Sequence, residues 1–478
     1  MKKNIIKIFL ITLGIGVLTS CSDYLDVEPE DKFLESQLFS SEQGINSVLN
    51  GIYMDMTSEL LYGGNLTIST VEFLAQRYNV MSTTHSWYDC GRYAYGEEKV
   101  KESFNEMWSG GYTTIVSVNK FIENLDRYGS ILTESKRNIL KGEAYGLRAF
   151  LHFDLLRLFG PVYSEGSTAK AIPYYTMAKA ELEEVLTAEQ VYAHLIQDLS
   201  LAEQLLVNDP VIESGTMNEQ PVNDGFDFYR NRHLRLNYYA VKALEARIHL
   251  YAGNKEKALA AANGVIEQAS QWFPWTEPEA IISAGGNPDR VFSNEVIFGV
   301  QNMELYTTHK KYFSSELRDS EILAPNLPRI EAAFENNEND YRYNSCWKIP
   351  VTGGKNFRTF FKYEDILDKE IPFRFLQPLI KMSEMYYIVA ECEQNIDYLN
   401  TVRYHRGLTD LESTANLESE LQKEYTKEFF GEGQLFFYYK RKNVSRILNG
   451  SSTSGYSYYN MSADTYVLPM PESETRYR

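Results

Sequence analysis

"ALEARIHLYAGNKEKALAAANGVIEQA", residues 243–269, reads as two short helices folded back on each other. Ala246 and His249 precede a Gly253-Asn254 pair, and Ala258, Ala262 and Val265 follow it at helical spacing. Small side chains let two antiparallel helices approach closely, and the Gly-Asn pair turns the chain between them, as in tetratricopeptide units. The stretch predicts an αα-hairpin. No clean 34-residue period recurs in the other helices, so any further repeats are diverged.

Helical signals continue on both sides. "SSEQGINSVLNGIYMDM" offers Ser40 or Ser41 as a cap and places Ile45, Val48, Leu49 and Ile52 on one face. "ESFNEMWSGGYTTIVSVNKFIENLDRY" carries Phe104, Met107, Trp108, Ile115 and Phe121 in helical register. "TESKRNILKGEAYGLRAFLHFDLLRLFG" starts at Thr133 and is expected to end at Gly160-Pro161, with Gly160 as a left-handed cap. Thr187 with Gln190 forms a capping box at the start of the next helix. Near the C-terminus, "LQPLIKMSEMYYIVAECEQN", "LNTVRYHRGL" and "LQKEYTKEFFGEGQLFFYYKRKN" each read as helix. The expected class is mainly α.

Residues 60–100 and 271–365 differ. They are rich in Gly, Pro, Asn and aromatics and show poor periodicity, apart from a strand candidate in "VFSNEVIFGV", residues 291–300. Loops this long are usually functional or disordered, and their aromatic content argues against disorder. The chain holds 35 tyrosines, and Trp87, Trp275 and Trp347 stand in these segments. Exposed rings on loops suit the C–H faces of sugars or a peptide surface; otherwise they pin the loops to the helices.

The N-terminus adds location. Lys2, Lys3 and Lys7 precede an apolar run that ends in Leu18-Thr19-Ser20-Cys21, the order of an export signal and too short to span a bilayer comfortably. It resembles a bacterial lipobox, with Cys21 as the lipidated first residue of the mature chain; a plain secretory signal with a coincidental cysteine is the alternative. Cleavage there removes three lysines and takes the net charge from −18 to −21. So acidic a chain argues against nucleic acid or an anionic lipid surface as partner, which leaves the lipid anchor as the route to a membrane. Cys90, Cys346 and Cys392 remain, enough for one disulfide at most, and a Cys90–Cys346 pairing is left open.

Catalytic patterns are missing: the sequence contains no HExxH, GxSxG, Walker loop or GxGxxG opening a helix. Residues 335–344, "ENNENDYRYN", lack the spacing and glycine of a Ca²⁺ loop. We therefore expect no catalytic residues, no bound metal and no cofactor beyond lipid on Cys21.

Several stretches together resemble the SusD/RagB family of outer-membrane nutrient-binding lipoproteins of Bacteroidetes. They are the "CSDYLDVEP" start at Cys21, "KGEAYGLRAFLHFDLLRLFGPV" (141–162), "LRLNYYAVKALEARIHLYAGNKEKAL" (234–259), "LIKMSEMYYIVAE" (379–391), "LNTVRYHRGL" (399–408) and "EYTKEFFGEGQLFFYYKR" (424–441). The last departs from the family run at Phe429-Phe430-Gly431 and Gln434-Leu435, and Tyr438 replaces its aspartate. The resemblance implies a SusD-like fold with diverged tetratricopeptide-type helix pairs as scaffold and long aromatic loops with few short strands. It implies this organisation: signal peptide 1–20, tether 21–39, and one compact domain over 40–478. Within it, an N-terminal part runs to about 220, the repeat pair covers about 236–270, an insertion about 271–370, C-terminal helices about 371–448, and an extended tail reaches 478.

The implied role is non-catalytic. A lipoprotein on the outer membrane, facing outward, would bind a nutrient oligomer and pass it to a SusC-like TonB-dependent transporter. A glycan is the favoured ligand; an oligopeptide, as for RagB-type relatives, or a repeat protein serving assembly alone are the alternatives. By position, the loop before the Trp108 helix points to Trp87 and Tyr88 as ligand contacts, with His85, Asp89 and Arg92 as polar neighbours. The insertion offers Trp275, Tyr306, Tyr341 and Trp347.

Overall fold

The computed structural model describes residues 35–218, 225, 227–282, 284–454 and 456–477. The signal, Cys21 and the tether up to residue 34 lie outside them. We label the helices of eight or more residues α1 (Glu42–Met56), α2 (Glu98–Tyr128), α3 (Glu134–Phe159), α4 (Ala188–Leu205), α5 (Tyr238–Tyr251), α6 (Lys255–Ala269), α7 (Leu305–Tyr312), α8 (Leu327–Phe334), α9 (Met382–Glu393), α10 (Ile396–Tyr404), α11 (Leu417–Glu428) and α12 (Gln434–Arg441). The strands are β1 (Lys170–Pro173), β2 (Val185–Thr187), β3 (Val296–Gln301), β4 (Trp347–Lys348), β5 (Thr359–Phe360), β6 (Leu376–Lys381), β7 (Arg446–Leu448) and β8 (Tyr458–Asn460), and they pair antiparallel in twos.

The scaffold is a stack of helices. α2 lies on α3, α3 on α4, α4 on α5, α5 on α6, α6 on α9, and α9 on α10. The α5–α6 hairpin is the one read at 243–269. Gly253 adopts φ +78°, which glycine takes without strain, and the Asn254 side chain caps α6 by accepting from the Lys257 N–H. Ala246, Ala258 and Ala262 are fully buried between the helices. Ser41 caps α1, Thr133 caps α3, and the Thr187–Gln190 capping box opens α4, as read from the sequence.

Three expectations are corrected. Gly160 is not a left-handed cap: it is extended, at φ −79° and ψ 168°. Pro161 forces the residue before it out of the helical region, and a side chain there would meet the Leu156 carbonyl oxygen at 2.6 Å, so glycine is needed for space. Residues 376–381 form β6 rather than the start of a helix, because Pro378 cannot donate within one and the run is buried throughout, paired with β3. The 424–441 segment is broken rather than continuous. Gly431 and Gly433 adopt φ +74° and +73° between α11 and α12, and a side chain on Gly433 would meet the Leu66 carbonyl oxygen at 2.0 Å. The strand expected in 291–300 is β3, starting at Val296.

The irregular region over 271–375 closes on the C-terminal helices through α8 packing on α11 and through buried charges. Arg406 holds Glu295 at 2.6 Å and Glu428 at 2.8 Å, Lys381 holds Glu428 and Glu432 at 2.9 Å, and Arg342 holds Asp340, Glu424 and Glu428 at 2.7–3.0 Å. All of these side chains are buried. Each of these cations, and each of Glu424, Glu428 and Glu432, is met by two or three opposite partners, while Glu295 and Asp340 are each held by one arginine. Pairing of this kind is the condition under which buried ions are tolerated.

Candidate functional site

An open cleft of about 600 Å³ lies where the turns after α1, the 81–92 loop, the first turns of α2 and the end of α7 meet. Its base is fixed by Asn65. The Asn65 Oδ1 accepts from the Thr70 hydroxyl at 2.7 Å, and its Nδ2 donates to Glu106 of α2 at 3.0 Å. Lys99, Glu102, Ser103 and Glu106, on the solvent side of α2, form one wall.

Trp87 forms another. The 81–92 loop winds into a compact turn: the Trp87 N–H donates to His85 Nδ1 at 3.2 Å, Tyr88 N–H to the His85 carbonyl, and Gly91 N–H to the Trp87 carbonyl. Buried Phe73 then stacks on the indole, with centroids 4.8 Å apart and planes 13° off parallel. One face of Trp87 is thereby fixed, and the half-buried ring lines the cleft. His85 itself is buried, which lowers its basicity, and it serves the turn rather than the cleft wall.

Across the cleft stand Lys311 and Tyr312, followed by Leu317 and Glu321. Lys311 Nζ binds both oxygens of Glu59, at 2.6 and 2.9 Å, and sits 5.0 Å from the Tyr312 ring centre. Burial, with the Glu59 charge next, raises the pKa of the Tyr312 phenol. Cys90 also lines the cleft, and burial pushes its thiol up to about 12, so it stays protonated and is no nucleophile. Rings of this kind suit the apolar faces of sugars, and carboxylates or amides suit hydroxyls.

The predicted residues divide among several places. Trp87 and Asp89 line this cleft; Tyr88 is beside it, with the Arg92 guanidinium 4.8 Å over its ring. Trp275 is elsewhere, stacked on His405 at 4.5 Å and against Tyr386 of α9. Tyr341 packs on Gly407 and donates its N–H to the Arg406 carbonyl, near the same helices. Tyr306 donates its hydroxyl to the Arg374 carbonyl and lies under the Arg374 guanidinium. Trp347 is corrected outright. It is 1% exposed, with ring centres 4.8 Å from Phe360 and 4.7 Å from Phe430, and so belongs to the core. Cys90 and Cys346 are both buried free thiols. Lys311, Tyr312 and Glu102 escaped the sequence reading, because "THKKYF" and "KESFNE" carry no spacing that distinguishes a cleft wall from a solvated helix, and Asn65 in "GGNLTI" reads as an ordinary loop asparagine.

A stack of diverged helix pairs with an aromatic cleft built by its loops defines a class of helical binding proteins. Residues 23–217 match a SusD-like family model described as starch-binding associating with outer membrane, and residues 371–477 match the model of the SusD family. The chain belongs to the SusD/RagB family. SusD-like protein P38 of Formosa agariphila is 24% identical over 462 residues, covering 85% of this chain and 82% of that protein. Among solved structures, a SusD-like carbohydrate binding protein from Bacteroides vulgatus superposes with a TM-score of 0.68 at 20% identity, over 90% of this chain and 95% of that one. Surface glycan-binding protein A from Bacteroides thetaiotaomicron superposes with a TM-score of 0.66 at 18% identity, over 92% and 98%. At such identities the structural likeness carries the fold.

Proposed function

We propose that this protein captures a glycan in the Trp87 cleft, without catalysis, and delivers it to a SusC-like TonB-dependent transporter. The observation that carries the reading is the Trp87 indole, braced by Phe73 on one face and lining an open cleft with carboxylates, an amide and a tyrosine around it. Pyranose rings bind through their C–H faces on such planes, while polar groups at the rim fix the hydroxyls. The starch-binding description of the family model and the glycan-binding names of two fold neighbours support it.

The rest of the role follows the family. Cys21 would carry the lipid that holds the protein at the outer membrane, on the side facing the surroundings, and multiple acyl chains anchor stably without a spanning helix. Among the described residues no helix is long and apolar enough to cross a membrane. An array presenting glycans and oligopeptides to the purified protein tests the ligand class. Retention of one glycan family is the expected result; exclusive retention of peptides would replace this reading with the RagB-like one. A Cys21→Ser variant should lose its lipid by mass spectrometry and leave the membrane fraction.

A further inference from the structure

The charge of the cleft restricts which glycan fits, an inference that rests on the glycan reading above. Of the charged groups along the walls, the Lys311 ammonium is bound by Glu59 and brings no net charge. Glu321 is matched by Arg318 from outside the cleft. Glu106 is fixed by the Asn65 amide, which is neutral. Among the described residues, that leaves Asp89 and Glu102 with no ion pair and Lys99 as the one unpaired cation on the lining. The cleft itself is therefore net negative, inside a chain of net charge −18.

We infer that the cleft takes sugar chains free of carboxylate and sulfate groups, and holds amine-bearing sugars more tightly than neutral ones. An acidic sugar brought against Trp87 meets Asp89, Glu102 and Glu106 and gains at most one free ammonium, Lys99. An ammonium on the sugar gains the same carboxylates instead. Two unit charges a few ångströms apart in a hydrated cleft change binding by roughly fivefold per pair, so a ligand facing two or three is discriminated by about tenfold or more. The effect is electrostatic and must fade as added salt shortens the Debye length from about 30 Å at 0.01 M to about 3 Å at 1 M.

The test uses the full-length mature protein and soluble polysaccharides in three charge classes: starch, xylan and mannan as neutral, chitosan as cationic, pectate, alginate and chondroitin sulfate as anionic. Gel retardation ranks them, and calorimetry on their oligomers measures the gaps at low and high salt. The expected order is cationic, neutral, anionic, with an anionic deficit of about tenfold or more at low salt that collapses at high salt. Glu102→Lys, on the exposed side of α2, should raise anionic relative to cationic binding by about tenfold. Anionic chains that bind as well as neutral ones, a gap indifferent to salt, or a ratio unmoved by Glu102→Lys would overturn the charge assignment while leaving glycan capture intact. Failure of every class to bind overturns the glycan reading itself, and this inference with it.

Discussion

Trp87 and Trp347 both stand in irregular, aromatic-rich segments, and each packs on phenylalanine. Trp87 has one Phe73 beneath it and the cleft beside it. Trp347 has Phe360 on one side and the edge of Phe430 on another, and Phe430 in turn carries the Arg77 guanidinium at 4.7 Å. The first loop is held by its own short turns, by Phe73 and by the Gln76 side chain, which donates to the Gly91 carbonyl, and it leaves Trp87 half-buried at the surface. The second is drawn inward by partners from distant parts of the chain and is closed by the buried ions around Arg406 and Arg342. Identical residue types thus line an open cleft or join the core, according to whether another ring arrives on the second face.

That contrast can be broken by mutation. Trp347→Ala removes a fully enclosed ring and should lower stability by about 3–5 kcal/mol in denaturant unfolding. A loss below about 1 kcal/mol would mean the segment is not core. Arg406→Met leaves Glu295 and Glu428 short of a partner and should cost a similar amount, about 3–5 kcal/mol. Near-native stability there would show that the ion cluster is dispensable.

Acid should act on the same region. Burial pushes the Glu424 carboxyl up, but Arg342, Lys427 and Arg403 outweigh it and hold it at about 2, against an ordinary 4.5. A depressed carboxylate contributes stability that is complete above about pH 4.5 and is lost as pH falls towards 2. The unfolding temperature should therefore drop through that window, and Glu424→Gln, less stable at neutral pH, should drop less steeply. An equal slope in both proteins would exclude Glu424 as a source. His152 adds to the acid loss at milder pH. Burial holds it neutral down to about 3 while its Nε2 accepts the Tyr175 N–H, so stability present above about 6.5 declines below it. The smallest stability effect is that of Trp87→Ala, about 1 kcal/mol, since the ring is only half-buried.

The scaffold was legible because its signals are local. The Gly253-Asn254 turn, the Thr187–Gln190 box and the Thr133 cap each involve residues within a few positions of one another, and all three hold. Gly160, misread as a left-handed cap, was decided by its neighbour Pro161, but the other misreadings depend on distant partners. Residues 376–381 have apolar content that fits helix or strand, and β3 decides it. Gly433 breaks the last helix because the Leu66 carbonyl occupies the space beside it. Trp87 was found by its place before the α2 helix, but the other wall of its cleft comes from Lys311 and Tyr312, which only the folded chain brings opposite. Trp275 and Tyr341, equally plausible as sequence, pack near Arg406 and the α9–α10 helices instead.

The most direct measurement is calorimetry of the best array glycan with the unaltered protein, Trp87→Ala and Trp275→Ala, all checked for native unfolding temperatures. The account predicts that Trp87→Ala weakens binding at least about tenfold, the loss of one well-placed aromatic contact, while Trp275→Ala binds as the unaltered protein does. Full affinity in Trp87→Ala, or a loss confined to Trp275→Ala, would contradict it and move the ligand surface to the scaffold side.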